Sequence, residues 1–89
     1  STMQVKAEGA VQGYVERRSR EGKVYRSVDF YVKGKDPGVL RLGISEDQMP
    51  LIEVCKQAEG KQARASIEVR KFEQTGRVFF DLSGLEVLK

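Results

Sequence analysis

The side chains with the most chemical potential crowd into one stretch of the chain. Arg17, Arg18, Arg20 and Lys23 come together, then Tyr25, Tyr31 and Lys33 at alternating positions, with Arg41 further on. Cations at this density neutralise phosphates. Tyrosines among them offer flat faces on which unpaired bases stack, at ~1–3 kcal/mol per base. A second cluster runs Arg70-Lys71-Phe72-Glu73-Gln74-Thr75-Gly76-Arg77. Here Arg70, Lys71 and Arg77 could hold phosphates, while Phe72 and Phe79 either stack or belong to the core. Glu68, Glu73 and Asp81 dilute the positive charge of this second cluster. A plainer reading stands beside the first. Exposed tyrosines pack across strands without any ligand, and basic residues in a hairpin guard a sheet edge.

What is missing narrows the chemistry further. The chain has no histidine and a single cysteine, Cys55, which removes the commonest general base and the usual zinc ligands. No phosphate loop or nucleophile constellation is present, and no carboxylates stand at a diagnostic spacing. The expectation is a protein that is not an enzyme and needs no metal or cofactor. Cys55 reads as a small apolar residue of the core. One cysteine allows no internal disulfide, which favours a reducing compartment and a cytoplasmic location. No apolar run approaches the ~20 residues of a membrane span, and the N-terminus lacks the apolar stretch of a signal peptide.

With 89 residues, 39% of them hydrophobic and 33% charged, the composition is that of one globular domain with a wet surface. The expected domain is 3–89, with Ser1 and Thr2 set apart as a cloning remnant ahead of Met3. A net charge of +3 is mild. Its distribution says more. Between Tyr14 and Arg41 eight basic residues face four acidic ones, so the positive field is local to that region.

The elements that must position these side chains follow from periodicity. Met3 to Val15 alternates, with Gly9 and Gly13 marking a strand that bends strongly. Arg17 to Lys23 is a polar hairpin. Val24 to Lys33 alternates cleanly: Val24, Val28, Phe30 and Val32 share one face, and Tyr25, Ser27, Asp29, Tyr31 and Lys33 share the other. Lys35-Asp36-Pro37 forms a turn. Val39 to Ile44 is a third strand that turns Leu40, Leu42 and Ile44 inward. Ser45 and Gln48 have the spacing of a capping box, and Pro50 suits a first helical turn. Leu51, Ile52, Val54, Cys55 and Ala58 then follow helical spacing, and Gly60 ends the helix. Beyond it, Ala63, Ala65, Ile67 and Val69 line one face of a fourth strand. Arg77 to Leu82 is the fifth, with Val78, Phe80 and Leu82 inward and Gly84 breaking it.

Three strands, a short helix and two strands, with glycine-marked bends, predict a mainly β protein. The architecture expected is a five-stranded, OB-fold-like Greek-key barrel with one short helix between strands 3 and 4. An SH3-like barrel is the competitor, but it has a shorter element where the helix is placed. In an OB-fold the outer face of the second strand and the loops beside it form the usual ligand groove.

Three segments resemble the small single-stranded DNA-binding, helix-destabilising proteins of filamentous phages. Ser19-Arg20-Glu21-Gly22-Lys23-Val24-Tyr25 is similar to that family's basic glycine hairpin leading to a stacking tyrosine. Leu42-Gly43-Ile44-Ser45-Glu46-Asp47-Gln48 and Arg70-Lys71-Phe72-Glu73-Gln74-Thr75-Gly76 carry the rest of the likeness. The resemblance implies that Arg20, Lys23 and Tyr25 contact DNA, and that a dimer coats single strands cooperatively.

The expected function is therefore binding of single-stranded DNA or RNA, by stacking and phosphate neutralisation, in phage, plasmid or bacterial DNA replication. A homodimer is the expected assembly, and no membrane is involved. The expected contacts are Arg17, Arg18, Arg20, Lys23, Tyr25, Tyr31, Lys33 and Arg41, with Arg70, Lys71 and Arg77 from the late hairpin. A protein-interaction module on a small barrel is the alternative.

Overall fold

A computed structural model describes residues 2–89. Five strands are present: β1 (Thr2–Arg18), β2 (Val24–Val32), β3 (Gly38–Ile44), β4 (Gln62–Lys71) and β5 (Val78–Val87). Between β3 and β4 lie one 3-10 turn (Glu46–Gln48) and the helix α1 (Pro50–Gln57). The strands close into a barrel in the order β1-β2-β3-β5-β4, with β1 returning to β4. All pairings are antiparallel except β3 with β5, which run parallel and meet at Gly43↔Asp81.

The long first strand makes closure possible. Its first half pairs with β4, from Thr2↔Arg70 to Ala10↔Gln62, and its second half pairs with β2, from Gly9↔Val32 to Arg18↔Val24. To serve both neighbours the strand must bend. The register with β2 shifts between Val11 and Gly13, a bulge where the sequence places its glycines. At the crossing, Gly9 sits so close to β2 that a Cβ there would lie 2.0 Å from the Tyr31 carbonyl oxygen.

The alternating residues fill the interior. Phe30 and Leu42 are fully buried, and Val11, Val28, Ile67 and Leu82 nearly so. Ala63 and Ala65 are fully buried in the same cluster as Phe30, a mix of small and large side chains typical of narrow barrels. Helix α1 places Cys55 in this core, joined by Ala58 at its C-terminal cap, and Leu51 and Ile52 pack against it. Burial pushes the Cys55 thiol up from 9.0 to about 11. The folded protein then holds that proton more tightly than the unfolded chain does. The contribution is fully present below pH 9 and is lost as pH rises toward about 11. Chemical denaturation at pH 8 and at pH 10.5 is expected to show a smaller loss of stability in Cys55→Ala than in the native sequence.

Several boundaries differ from the sequence reading, for identifiable reasons. Arg17 and Arg18 belong to β1, not to the hairpin, because they pair with Tyr25 and Val24. Gly84 does not end β5. A register shift between Ser66 and Ile67 absorbs an extra residue opposite, and the strand continues to Val87. Val78 is exposed because it pairs with Lys71 at the far ends of β4 and β5. No capping box forms. Ser45 stands at the N-cap of the 3-10 turn, and its hydroxyl donates to the Asp47 carboxylate and accepts from no backbone amide. Met49 stands at the N-cap of α1, with Pro50 as its first residue. Of the two residues set apart as a cloning remnant, Ser1 lies outside the described residues, and Thr2 opens β1.

Candidate nucleic-acid interface

The β1–β2 hairpin is built tightly. The Ser19 amide donates to the Lys23 carbonyl at 2.8 Å, and the Gly22 amide donates to the Ser19 carbonyl at 3.0 Å. Gly22 takes φ +84°, which side-chain-bearing residues rarely adopt. The Ser19 hydroxyl accepts from the Lys23 amide at 3.1 Å, and the Arg18 guanidinium donates to the Gly22 carbonyl at 3.2 Å. This framework projects Arg17, Arg20 and Lys23 into solvent next to Tyr25, whose ring is 53% exposed. The Lys23 ammonium stands 5.3 Å from the centre of that ring.

From Tyr25 the outer surface dips. Ser27 of β2 pairs with Gly43 of β3, and Gly43 pairs with Asp81 of β5, so the three stand in one row across the sheet. Gly43 carries no side chain, and Ser27 is buried, so the middle of the row is low. β2 runs against β3, whereas β5 runs with it. Tyr25 and Phe79, each two residues ahead of the row, therefore lie on opposite sides of it. Two open concavities of about 400 and 560 Å³ meet here, and both are lined by Tyr25, Arg26, Gly43, Phe79 and Asp81. Arg17, Ser27 and Arg41 line the first, and Lys23, Ser45 and Arg70 the second.

The β4–β5 hairpin continues the furrow. The Phe72 amide donates to the Arg77 carbonyl at 3.0 Å, and the Gly76 amide donates to the Phe72 carbonyl at 2.8 Å. The turn sets Phe72 edge-on to Phe79, with centroids 5.2 Å apart and planes at 72°. Arg70 lies 5.6 Å from the Phe72 ring and 5.8 Å from the Phe79 ring, and Arg77 lies 5.7 Å from Phe79. Guanidinium groups at this range hold aromatic rings through the ring quadrupole. A third concavity of about 320 Å³ is lined by Phe72, Thr75, Arg77 and Phe79. Phe79 borders all three concavities, and neither it nor Phe72 enters the core.

The expected contact residues divide into two groups. Arg17, Lys23, Tyr25, Arg41, Arg70 and Arg77 come together along the furrow. Arg18, Arg20 and Lys71 flank it on the two hairpins and are exposed. Tyr31 and Lys33 do not join it. Tyr31 shares the face of Tyr25, but six residues of strand, ~20 Å, separate them. Tyr31 sits half-buried between Ala10 and Val39. Lys33 is exposed just beyond the end of β2, on that distant side.

The cations are not equally free. Arg70 is joined to Asp81 at 2.5 Å, and Arg41 lies 3.6 Å from Asp29. Among the described residues, Arg17, Arg20, Lys23, Lys71 and Arg77 form no ion pair. On another side of the barrel, Arg64 is held between Glu8 at 2.7 Å and Glu86 at 3.2 Å, so that surface spends its charge on itself. The third tyrosine, Tyr14, donates to Glu16 at 2.9 Å and lies under Lys56.

Arg26 and Gly43 were not legible as site residues. Alternation assigns Arg26 to the inward face, and only its place near the end of β2 lets it reach the furrow. Gly43 gives no positive signal in sequence, since its role is to be absent as a side chain.

No family model matches the chain, and no curated protein matches its sequence. The fold is similar to the crystal structure of a mitochondrial single-stranded DNA-binding protein from S. cerevisiae, at a TM-score of 0.73 and 11% identity. The match covers 100% of this chain and 98% of that one. At this identity the likeness speaks for the fold: an OB-type barrel of five strands with one short helix between β3 and β4.

Proposed function

We propose that the protein binds single-stranded nucleic acid, DNA in the first instance, by laying the strand along the furrow from the β1–β2 hairpin to the β4–β5 hairpin. One observation carries the reading: two surface aromatics, Tyr25 and Phe79, stand either side of a low floor with unpaired cations at both ends. A duplex hides its base faces, so only an unpaired strand can use both rings. The similarity in fold to a single-stranded DNA-binding protein agrees with this reading. Its biological setting would be strands exposed in the cytoplasm during phage, plasmid or bacterial replication. A homodimer is part of the same proposal, supported by the exposed apolar side chains of Met3, Val5 and Val78.

The test is fluorescence anisotropy with a labelled mixed-sequence single strand, the equivalent RNA and a duplex. Preference for the single strands is expected. With about four phosphates neutralised, affinity is expected to fall roughly 50-fold between 50 and 200 mM salt. Equal affinity for the duplex, or no binding at low salt, would overturn the proposal.

A second reading rests on the β3–β5 seam. Only Gly43↔Asp81 joins these strands among the described residues, so β3 from Gly38 to Arg41 keeps one edge without a ladder. A partner strand could add there. A protein retained after nuclease treatment, together with no affinity for oligonucleotides, would favour this second reading.

A further inference from the structure

The floor of the furrow carries two hydrogen-bonding groups that the fold leaves unused. Ser27 is 5% exposed, and its hydroxyl has no hydrogen-bond partner. A buried hydroxyl without a partner is costly. Across the row, the Asp81 carboxylate uses one oxygen, Oδ2, on Arg70. The other oxygen, Oδ1, has no hydrogen bond among the described residues, and it lies 3.0 Å from where a Cβ on Gly43 would be. The result is a donor–acceptor hydroxyl and a pure acceptor, with a residue lacking a side chain between them. The two outer strands of the row are two strand spacings apart, ~10 Å, and the Asp81 carboxylate reaches over Gly43 toward Ser27, which brings both groups within the span of one base edge.

We propose that the row Ser27, Gly43 and Asp81 reads the edge of one base and selects a base with an exocyclic amino group over thymine or uracil. The proposal rests on the single-strand reading above and adds specificity to it. On cytosine, the projecting amino group donates to Asp81 Oδ1 and the adjacent ring nitrogen accepts from the Ser27 hydroxyl. Adenine offers the same pair of groups. On thymine the ring N–H is recessed between two carbonyl oxygens, so a carboxylate that approaches it meets both oxygens. Discrimination then comes from repulsion as much as from attraction. Arg70 fixes the carboxylate in place.

Oligo(dC) and oligo(dT) of equal length separate the possibilities, because the two bases are alike in size and differ at the amino or carbonyl position. Binding by anisotropy is expected to be about fivefold tighter for dC in the native protein, the worth of one net hydrogen bond. Ser27→Ala is expected to bring the two toward parity, with affinity for dT unchanged. Its melting temperature should be unchanged or raised, because the hydroxyl it removes has no partner. Asp81→Asn, whose amide can donate to a carbonyl, is expected to shift preference toward dT. Tight but equal binding of dC and dT by the native protein would overturn this inference and leave single-strand binding standing. A dC preference that survives both substitutions would show that the row does not read the base. No binding of either oligonucleotide would instead remove the single-strand reading itself.

Discussion

A protein carrying both Tyr25→Ala and Phe79→Leu is expected to bind a mixed-sequence single strand roughly 100-fold more weakly than the native protein while remaining folded. Each ring presents a face to one base, and each stacking contact is worth ~1–3 kcal/mol by substitution. Two such losses on separated bases should add, because Tyr25 and Phe79 lie on opposite sides of the Gly43 row and share no packing partner in the core. The fold is expected to survive for a specific reason. Tyr25 is 53% exposed, and Phe79 packs on Phe72 outside the buried cluster. Leucine at position 79 keeps apolar bulk against Phe72 and removes only the π-face. Titration by anisotropy measures the first effect, and far-ultraviolet circular dichroism checks the second. A double variant with native affinity would show that charge alone holds the strand.

The singles inform as well. Phe79 borders every part of the furrow and carries both Arg70 and Arg77 against its face. Its loss should therefore cost more than that of Tyr25, whose ring, among the described residues, has only Lys23 standing over it. A ring that organises two guanidinium groups affects phosphate contacts and stacking together. The salt dependence of Phe79→Leu is accordingly expected to change, whereas that of Tyr25→Ala is expected to match the native protein.

How far the sequence reveals this arrangement depends on the kind of signal involved. Alternation identifies the inward faces of β2, β3 and β4 well, because a barrel interior imposes a strict period of two. Val28, Phe30, Leu42, Ile44, Ala63, Ala65 and Ile67 are buried as that period predicts. The same period cannot locate a residue along the strand, and so it groups Tyr31 with Tyr25 though they stand far apart. Nor can it see partners that arrive from another strand. Arg70 reads as a free phosphate ligand until β5 brings Asp81 against it. The parallel junction of β3 and β5 has no local trace, because its residues are distant in sequence and pair at a single position. Phe72 and Phe79 show the same limit. An apolar residue near a turn has no sequence mark that says whether the barrel has already ended.

Gly9→Ala is expected to be the most damaging single substitution for the fold. The added Cβ would lie 2.0 Å from the Tyr31 carbonyl oxygen, 2.9 Å from its carbon and 3.1 Å from the Phe30 ring. The first two are backbone atoms of β2, so no rotamer change can relieve the overlap. β1 would have to withdraw from β2 where it also pairs with β4, at Gly9↔Val32 and Gly9↔Ala63. Loss of that approach opens the barrel beside Phe30, its largest fully buried side chain. The expected cost is at least ~3 kcal/mol, at the upper end for overpacking by one methyl group. That is a large fraction of the ~5–15 kcal/mol that stabilises a typical domain. Gly38→Ala is the matched control, since nothing lies within 4 Å of the Cβ position there. Urea denaturation should show a large fall in midpoint for Gly9→Ala and almost none for Gly38→Ala. A native-like midpoint for Gly9→Ala would mean that β1 does not approach β2 this closely, and the closure of the barrel at that crossing would have to be redrawn.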